Sequence, residues 1–362
     1  MVAAIVVDKN KVVCVTAEPK KDGTYTTVAE ASAPFNGLIR SEALHQSGLG
    51  HAIEEAVTSA CGASVRRLKE VYVGVPGKYT YVESRETPYG ENADYRMEDD
   101  GERADEDRLL HRVEYKSILD GSKGISFIRC DEEFMEEVER ALRQMGLNVT
   151  AYISQNYAEG IFIIPKIERD NVAIMLNVGY YYTNISVFTG DAQIYQGTLM
   201  VGGLHLVRDL SMVLELDMEY AEQLKRQFVF GIEYDPQAID YIRMADGRLW
   251  GFEHGLVDEV IVSRLDEMIE LIRGALWDIA EITYDHSKSY FIGSGVSDMR
   301  GAKEYIGAKL ETRFENLPLF MVDGTSRYSI SAMAVLDYAM TNLTRAAEGD
   351  ALSKLMGIFR KK

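Results

Sequence analysis

The chain has 362 residues, 46% of them hydrophobic and 27% charged, and a formal net charge of −18 from 39 basic and 57 acidic side chains. That length accommodates two or more domains with sizeable cores. The charge excludes a broad nucleic-acid surface as the main function, because an acidic body repels phosphate polymers. The balance is uneven: residues 351–362 carry four basic groups and no acid, leaving residues 1–350 at −22.

The opening reads as a buried strand over Val2–Val7, a polar turn Asp8-Lys9-Asn10-Lys11, and a second strand over Val12–Val15. Lys20-Lys21-Asp22-Gly23 reads as the next turn and Tyr25–Ala31 as a third strand. A helix over about Gly50–Cys61 and a buried strand over Val71–Val75 follow. Residues 91–107 then hold nine acids against Arg96 and Arg103, the composition of a solvated loop. Gly124–Cys130 is expected as a strand and Glu133–Met145 as an amphipathic helix. Phe134, Val138, Ala141, Leu142 and Met145 share one face of that helix, and Gly146 stops it.

The opening pattern returns about 170 residues later. Val172–Leu176 runs into Asn177-Val178-Gly179, Ile185–Phe188 is the return strand, and Ala192–Leu199 follows the turn Thr189-Gly190-Asp191. Two β-meanders, each opening one half of the chain, point to an internal duplication. The longest helix is expected from Leu256 to about Glu281. Ser289–Ile292 is then a short strand entering Gly293-Ser294-Gly295, with a helix from about Met299. Alternating strands and helices give an α/β fold.

Cys14, Cys61 and Cys130 are far apart and odd in number, with no CxxC or Cys/His spacing. Neither a zinc site nor a disulfide framework is expected, and a reducing cytosol is the expected compartment. Met1–Val7 is too short for a signal peptide, and no apolar run reaches the roughly 18 residues of a spanning helix. The histidines, His45, His205 and His286 among them, have no triad-like partners and read as structural or surface residues.

Several features occur in a fixed order: the Asp8 tip, Glu70-Val71-Tyr72-Val73-Gly74-Val75-Pro76-Gly77, Ala141–Leu147, Asn177-Val178-Gly179, Gly293-Ser294-Gly295 and a basic amphipathic end. This order resembles the actin-like superfamily of sugar kinases, heat-shock chaperones and actins, and within it the bacterial cell-division FtsA family. The resemblance implies an actin-like, ribonuclease-H-like duplicated two-half α/β fold. The first half would comprise residues 1–75, 146–168 and 325–349, interrupted at 76–145 by a shortened, acidic FtsA-type subdomain. The second half would comprise 169–216 and 281–324, with 217–280 as its small subdomain and 350–362 as an amphipathic tail.

The resemblance also places a nucleotide site at Asp8, Lys11, Asn177, Gly179, Gly293, Ser294 and Gly295. In the family the first phosphate loop reads acid-x-Gly-Thr and the second Asp-x-Gly-Gly-Gly-Thr. Here the first is Asp8-Lys9-Asn10-Lys11 and the second Asn177-Val178-Gly179-Tyr180-Tyr181-Tyr182-Thr183. Glycine permits close backbone approach to a phosphate, and an amide at Asn177 lacks the charge that holds hydrated Mg²⁺. Gln155-Asn156 stands where the family often has Glu-Pro. These departures argue against hydrolysis and leave ATP or ADP weakly bound or not bound, with no metal. A live metal site at Asp8, Asn177 and Asp298 is the opposing reading, and an amide with two separated carboxylates is a poor magnesium cage.

At the C-terminal end Leu352, Leu355, Met356 and Phe359 recur at i, i+3, i+4 and i+7. Lys354, Arg360, Lys361 and Lys362 supply the cations of an interfacial helix, and Asp350 its N-cap. By resemblance, the protein is expected to be a peripheral cytoplasmic adaptor on an anionic membrane face. An FtsZ-like protein is its expected partner, filament formation is possible, and nucleic acid is not a ligand. A PilM-like scaffold of pilus or envelope machinery and an active ATPase or small-molecule kinase are the alternatives.

Overall fold

The computed structural model describes residues 1–8, 10–20, 24–35, 48–87, 107–116, 121, 123–235, 237–281, 287–317 and 329–343. Most of the acidic stretch 91–107 and the whole tail 350–362 therefore lie outside the described residues. The chain divides into two compact units. One holds Met1–Asp170, Thr189–Ile194 and the described residues after Asn316; the other holds Asn171–Phe188 and Tyr195–Asn316.

In the first unit β1 (Val2–Asp8), β2 (Lys11–Pro19) and β3 (Tyr25–Pro34) form an antiparallel meander, as their apolar runs predict. Asp8 pairs with Lys11 across the first turn, and Lys20 N–H closes the second on Thr24 O. Helix α1 (Leu49–Cys61) packs on β2 and β3. The next strand, β4 (Glu70–Val75), joins β1 in parallel.

Between β4 and the next strand of that sheet lie β5 (Thr80–Thr87), β6 (Asp107–Lys116) and β7 (Lys123–Asp131), an antiparallel sheet in the order β5-β7-β6. Helix α2 (Glu132–Gln144) follows, its N-terminus capped by Asp131, which accepts from Glu133 N at 2.8 Å. Its stripe of Phe134, Val138, Ala141 and Leu142 is buried, as the spacing predicts, and Gly146 takes φ +72° just after it. The five-stranded sheet is completed by β8 (Ala151–Ser154), in the order β3-β2-β1-β4-β8. Helices α3 (Gln155–Ile163) and α4 (Lys166–Arg169) complete this stretch of the chain.

The second unit repeats the design. Strands β9 (Ala173–Val178), β10 (Thr183–Thr189) and β11 (Ala192–Leu199) form its meander. Helices α5 (Gly203–Val213) and α6 (Met218–Gln227) come next, then the hairpin of β12 (Ile239–Arg243) and β13 (Leu249–Glu253). The long α7 (His254–Asp278) buries Val257, Ile261, Leu265, Met268, Ile269 and Ile272, the stripe read from the sequence. It ends at Asp278, a turn before the expected stop. Strand β14 (Lys288–Ile292) pairs in parallel with β9, giving the order β11-β10-β9-β14. That order, with its one antiparallel and one parallel neighbour of β9, matches β3-β2-β1-β4 strand for strand. The duplication is thus a property of topology, well beyond two meanders. After α8 (Ala302–Lys309) the chain supplies α9 (Ile330–Tyr338) to the first unit, where it packs on α3 and β1.

Candidate functional site

The residues expected at a nucleotide divide between the two units, with Asp8 and Lys11 in the first and Asn177, Gly179, Gly293, Ser294 and Gly295 in the second. In the first, Asp8 Oδ2 accepts from Ser329 Oγ at 2.7 Å. Ser329 N donates to Glu30 Oε2 at 2.6 Å, and Ser329 Oγ in turn caps α9 by accepting from Ala332 N. Burial raises the Glu30 carboxyl, against the opposing pull of the Ser329 N–H and of Lys11. Gln155, in place of the family's glutamate, donates its amide to Val7 O at 3.1 Å and is buried. In this unit Asp8 and Gln155 each hold a protein group and fix helices to the end of β1.

In the second unit Asn177, Gly179, Gly293 and Gly295 come together, with Ser294 between the last two. Asn177, next to last in β9, pairs with Ile292 at the end of β14, so the Gly293-Ser294-Gly295 turn leaves β14 directly against the 177–182 loop. Gly179 N–H donates within that loop, to Tyr182 O at 3.0 Å and Asn177 O at 3.2 Å. Gly203 N–H donates to Gly179 O, Leu204 N–H to Tyr180 O and Gly295 N–H to Val178 O. Thr183 Oγ1, the hydroxyl nearest in sequence to the family's threonine, is buried and donates to Val201 O at 2.8 Å.

These strands of backbone are in direct contact. A β-carbon on Gly295 would lie less than 3.0 Å from Gly179 O, and one on Gly203 less than 3.0 Å from Gly295 O. A phosphate cradle presents several N–H groups outward to an anion. Here the N–H groups of Gly179, Gly203 and Gly295 all donate to protein carbonyls. Of the tyrosines that replace glycines, Tyr181 is buried and meets Tyr180 edge-on at 5.1 Å. The Tyr180 ring faces Lys225 Nζ at 5.7 Å.

Lys225 and Glu222, on α6, escaped the sequence reading. Lys225 Nζ donates to Gly295 O at 3.0 Å and pairs with Glu222 at 3.0 Å, and its side chain is 1% exposed. Burial lowers its pKa, with Glu222 pulling the other way. Glu222 also holds Arg226. The ammonium is committed to the glycine turn and to its neighbour on α6, so it ties that helix to the 293–295 turn. Nothing in the Ala221-Glu222-Gln223-Leu224-Lys225 run marks the lysine locally as buried. His205, expected to be a structural or surface residue, has its ring at Gly202 N, 3.2 Å away, at the start of α5. His45 and His286 lie outside the described residues, as does Lys9. Among the described residues no three His, Cys, Asp or Glu side chains form a metal cluster, and no helix is long and apolar enough to cross a membrane.

No family model matches the chain. It is similar in sequence to the cell division protein FtsA of Pseudomonas aeruginosa, 20% identical over 307 residues, covering 76% of this chain and 73% of that one. FtsA of Escherichia coli is 17% identical over 335 residues, covering 85% of this chain and 80% of that one. In structure it resembles a chain of the PilM-PilN type IV pilus biogenesis complex, with TM-score 0.64, 17% identity, and 94% and 96% of the two chains covered. It also resembles MreB 5 of Spiroplasma citri bound to AMPPNP, with TM-score 0.57, 10% identity, and 97% and 99% covered. The MamK double helical filament follows, with TM-score 0.53, 13% identity, and 94% and 99% covered. The duplicated sheet order and these likenesses agree with the fold read from the sequence: the chain has the actin-like fold and is a distant relative of the cell-division FtsA proteins.

Proposed function

We propose that the chain is an FtsA-like adaptor that holds a cytoplasmic FtsZ-type filament against the inner face of the membrane without hydrolysing ATP. The observation that carries this reading is the FtsA likeness running over 76% and 85% of the chain in two relatives. The tail 350–362 is proposed as the membrane anchor, through Leu352, Leu355, Met356 and Phe359 on one face and four cations. One such helix binds reversibly, and many on a filament hold by avidity. Self-association is proposed with it, supported by the filament form of MamK. Residues 217–280 are proposed to receive the FtsZ-type partner. In that region the β12–β13 hairpin exposes Ile239, Tyr241 and Leu249 on one face, an apolar surface of the kind that marks interaction sites, and Trp250 on the other. Residues 76–145, with their own small sheet and helix, are proposed as the inserted subdomain.

Flotation on vesicles of anionic phospholipid tests the reading. The full chain is expected to float and a chain ended at Gly349 to stay in solution, with salt weakening the bound form. Equal behaviour of the two chains would sink the tether. The second reading, a PilM-like scaffold without a membrane helix, is favoured by the 0.64 TM-score over 94% and 96% of the two chains, and it predicts that neither chain floats.

The absence of turnover is proposed from the 177–182 loop, whose glycine N–H is engaged and whose acid is an amide. Calorimetric titration of the full chain with ATP and Mg²⁺ is expected to give no binding tighter than about millimolar. Micromolar binding with phosphate release would restore the ATPase reading.

A further inference from the structure

Cys14 and Cys61 are 47 positions apart in sequence, yet their thiols are hydrogen-bonded to one another. Strand alternation and helix periodicity put them there independently. Val13, Val15 and Ala17 of β2 face the cluster formed with α9, so Cys14 faces the opposite side of the sheet, where α1 packs. Cys61 is the last residue of α1 and the end of its buried stripe Leu49, Ala52, Ile53, Ala56 and Val57. Cys14 is fully enclosed, whereas Cys61 keeps 8% of its surface exposed at the rim of the core. The Cys14 thiol lowers the Cys61 pKa by hydrogen bonding, and the same bond together with burial raises that of Cys14. Cys130 is separate: it is buried, and its Sγ meets the Asp131 carbonyl at 3.1 Å.

We infer that Cys14 and Cys61 form a peroxide-sensitive redox pair, which closes to a disulfide tying the end of α1 to the middle of β2. The Cys61 thiolate attacks one oxygen of hydrogen peroxide; the O–O bond breaks and the leaving hydroxide takes up a proton. Cys61 becomes a sulfenic acid. The Cys14 sulfur then attacks the Cys61 sulfur, the S–O bond breaks, and the oxygen leaves as water with the Cys14 proton. Two thiols lose two electrons, and one peroxide becomes two waters. A disulfide brings sulfurs to about 2.05 Å. Cys61 is the last residue of α1, beside Gly62 at φ +53°, where the helix hydrogen-bond pattern ends.

The test exposes the full chain to hydrogen peroxide, quenches it, and counts free thiols after denaturation while mapping the peptides. The untreated chain is expected to show three thiols and the oxidised chain one, that of Cys130, with the Cys14 and Cys61 peptides linked and dithiothreitol restoring all three. Cys130→Ser still forms the link, whereas Cys61→Ser keeps its Cys14 thiol through the same exposure. Peptide mapping of the unmodified chain decides the matter even where a variant folds poorly. Three surviving thiols after peroxide would overturn the inference. So would Cys61 oxidised to sulfinic acid beside an intact Cys14 thiol, or Cys14 lost as fast in Cys61→Ser.

Discussion

Gly295→Ala is expected to cost the protein at least about 3 kcal/mol of stability, while Gly274→Ala gains up to about 1 kcal/mol. The two substitutions add the same methyl group within one unit of the molecule. At Gly295 the new carbon would lie less than 3.0 Å from the Gly179 carbonyl oxygen and from the Val178 carbonyl oxygen. Both are backbone, held by the β9–β10 hairpin and by the Gly295 N–H bond to Val178 O, so neither side can yield as a flexible side chain would. Gly274 lies in the interior of α7, where a β-carbon meets nothing within 4 Å and only helix propensity counts. Urea unfolding midpoints at unchanged slope read the difference. A Gly295→Ala chain as stable as the Gly274→Ala chain would mean that the 177–182 loop and the 293–295 turn are apart in solution. The N–H groups that donate to protein carbonyls across this contact would then be available to a phosphate, so the measurement also bears on the proposal of an idle nucleotide site.

What the sequence showed and what it hid differ in range. Continuous apolar strands such as Val2–Val7 and 172–176, and stripes such as Phe134 to Leu142, declare themselves because burial follows a local period. The β12–β13 hairpin was not legible, since Tyr241, Leu249 and Trp250 leave its apolar side chains in solvent and blur the alternation. In the site, Asn177 and the glycines were legible as departures from a family pattern. Lys225 was not, because its burial depends on Gly295 being brought to it from 70 residues away. Cys14 and Cys61 are the same case: three dispersed cysteines give no framework until α1 is laid across β2. The tail is legible only as a pattern, and its role rests on the flotation experiment.

Acid is expected to unfold the chain early through His111, and His111→Gln should flatten that response. The residue follows a shift of register in β6, where Leu109 pairs with Arg129 and His111 with Ile128. The bulge turns the imidazole inward between Tyr157, at 4.7 Å, and Tyr338, at 5.3 Å. Its Nε2 accepts from Ser154 N at 3.1 Å, so the single ring proton sits on Nδ1, facing Tyr338 Oη at 3.4 Å. Burial pushes the His111 pKa down from 6.5 to about 3. The facing hydroxyl of Tyr157 is committed to Asp191 O at 2.9 Å. A second proton would have to enter at Nε2, against the Ser154 N–H. The unfolded chain therefore binds a proton near pH 6.5 that the folded chain refuses until about pH 3. Stability from this residue is complete above the higher value and falls steadily as pH drops between the two. The loss is about 2 kcal/mol from about pH 7.5 to about pH 5. His111→Gln keeps an acceptor for Ser154 and removes the titration, so its urea midpoint should start lower at neutral pH and fall less on acidification. Parallel pH profiles for the two chains would place the imidazole in water and remove this residue from the join between β6, β8 and α9.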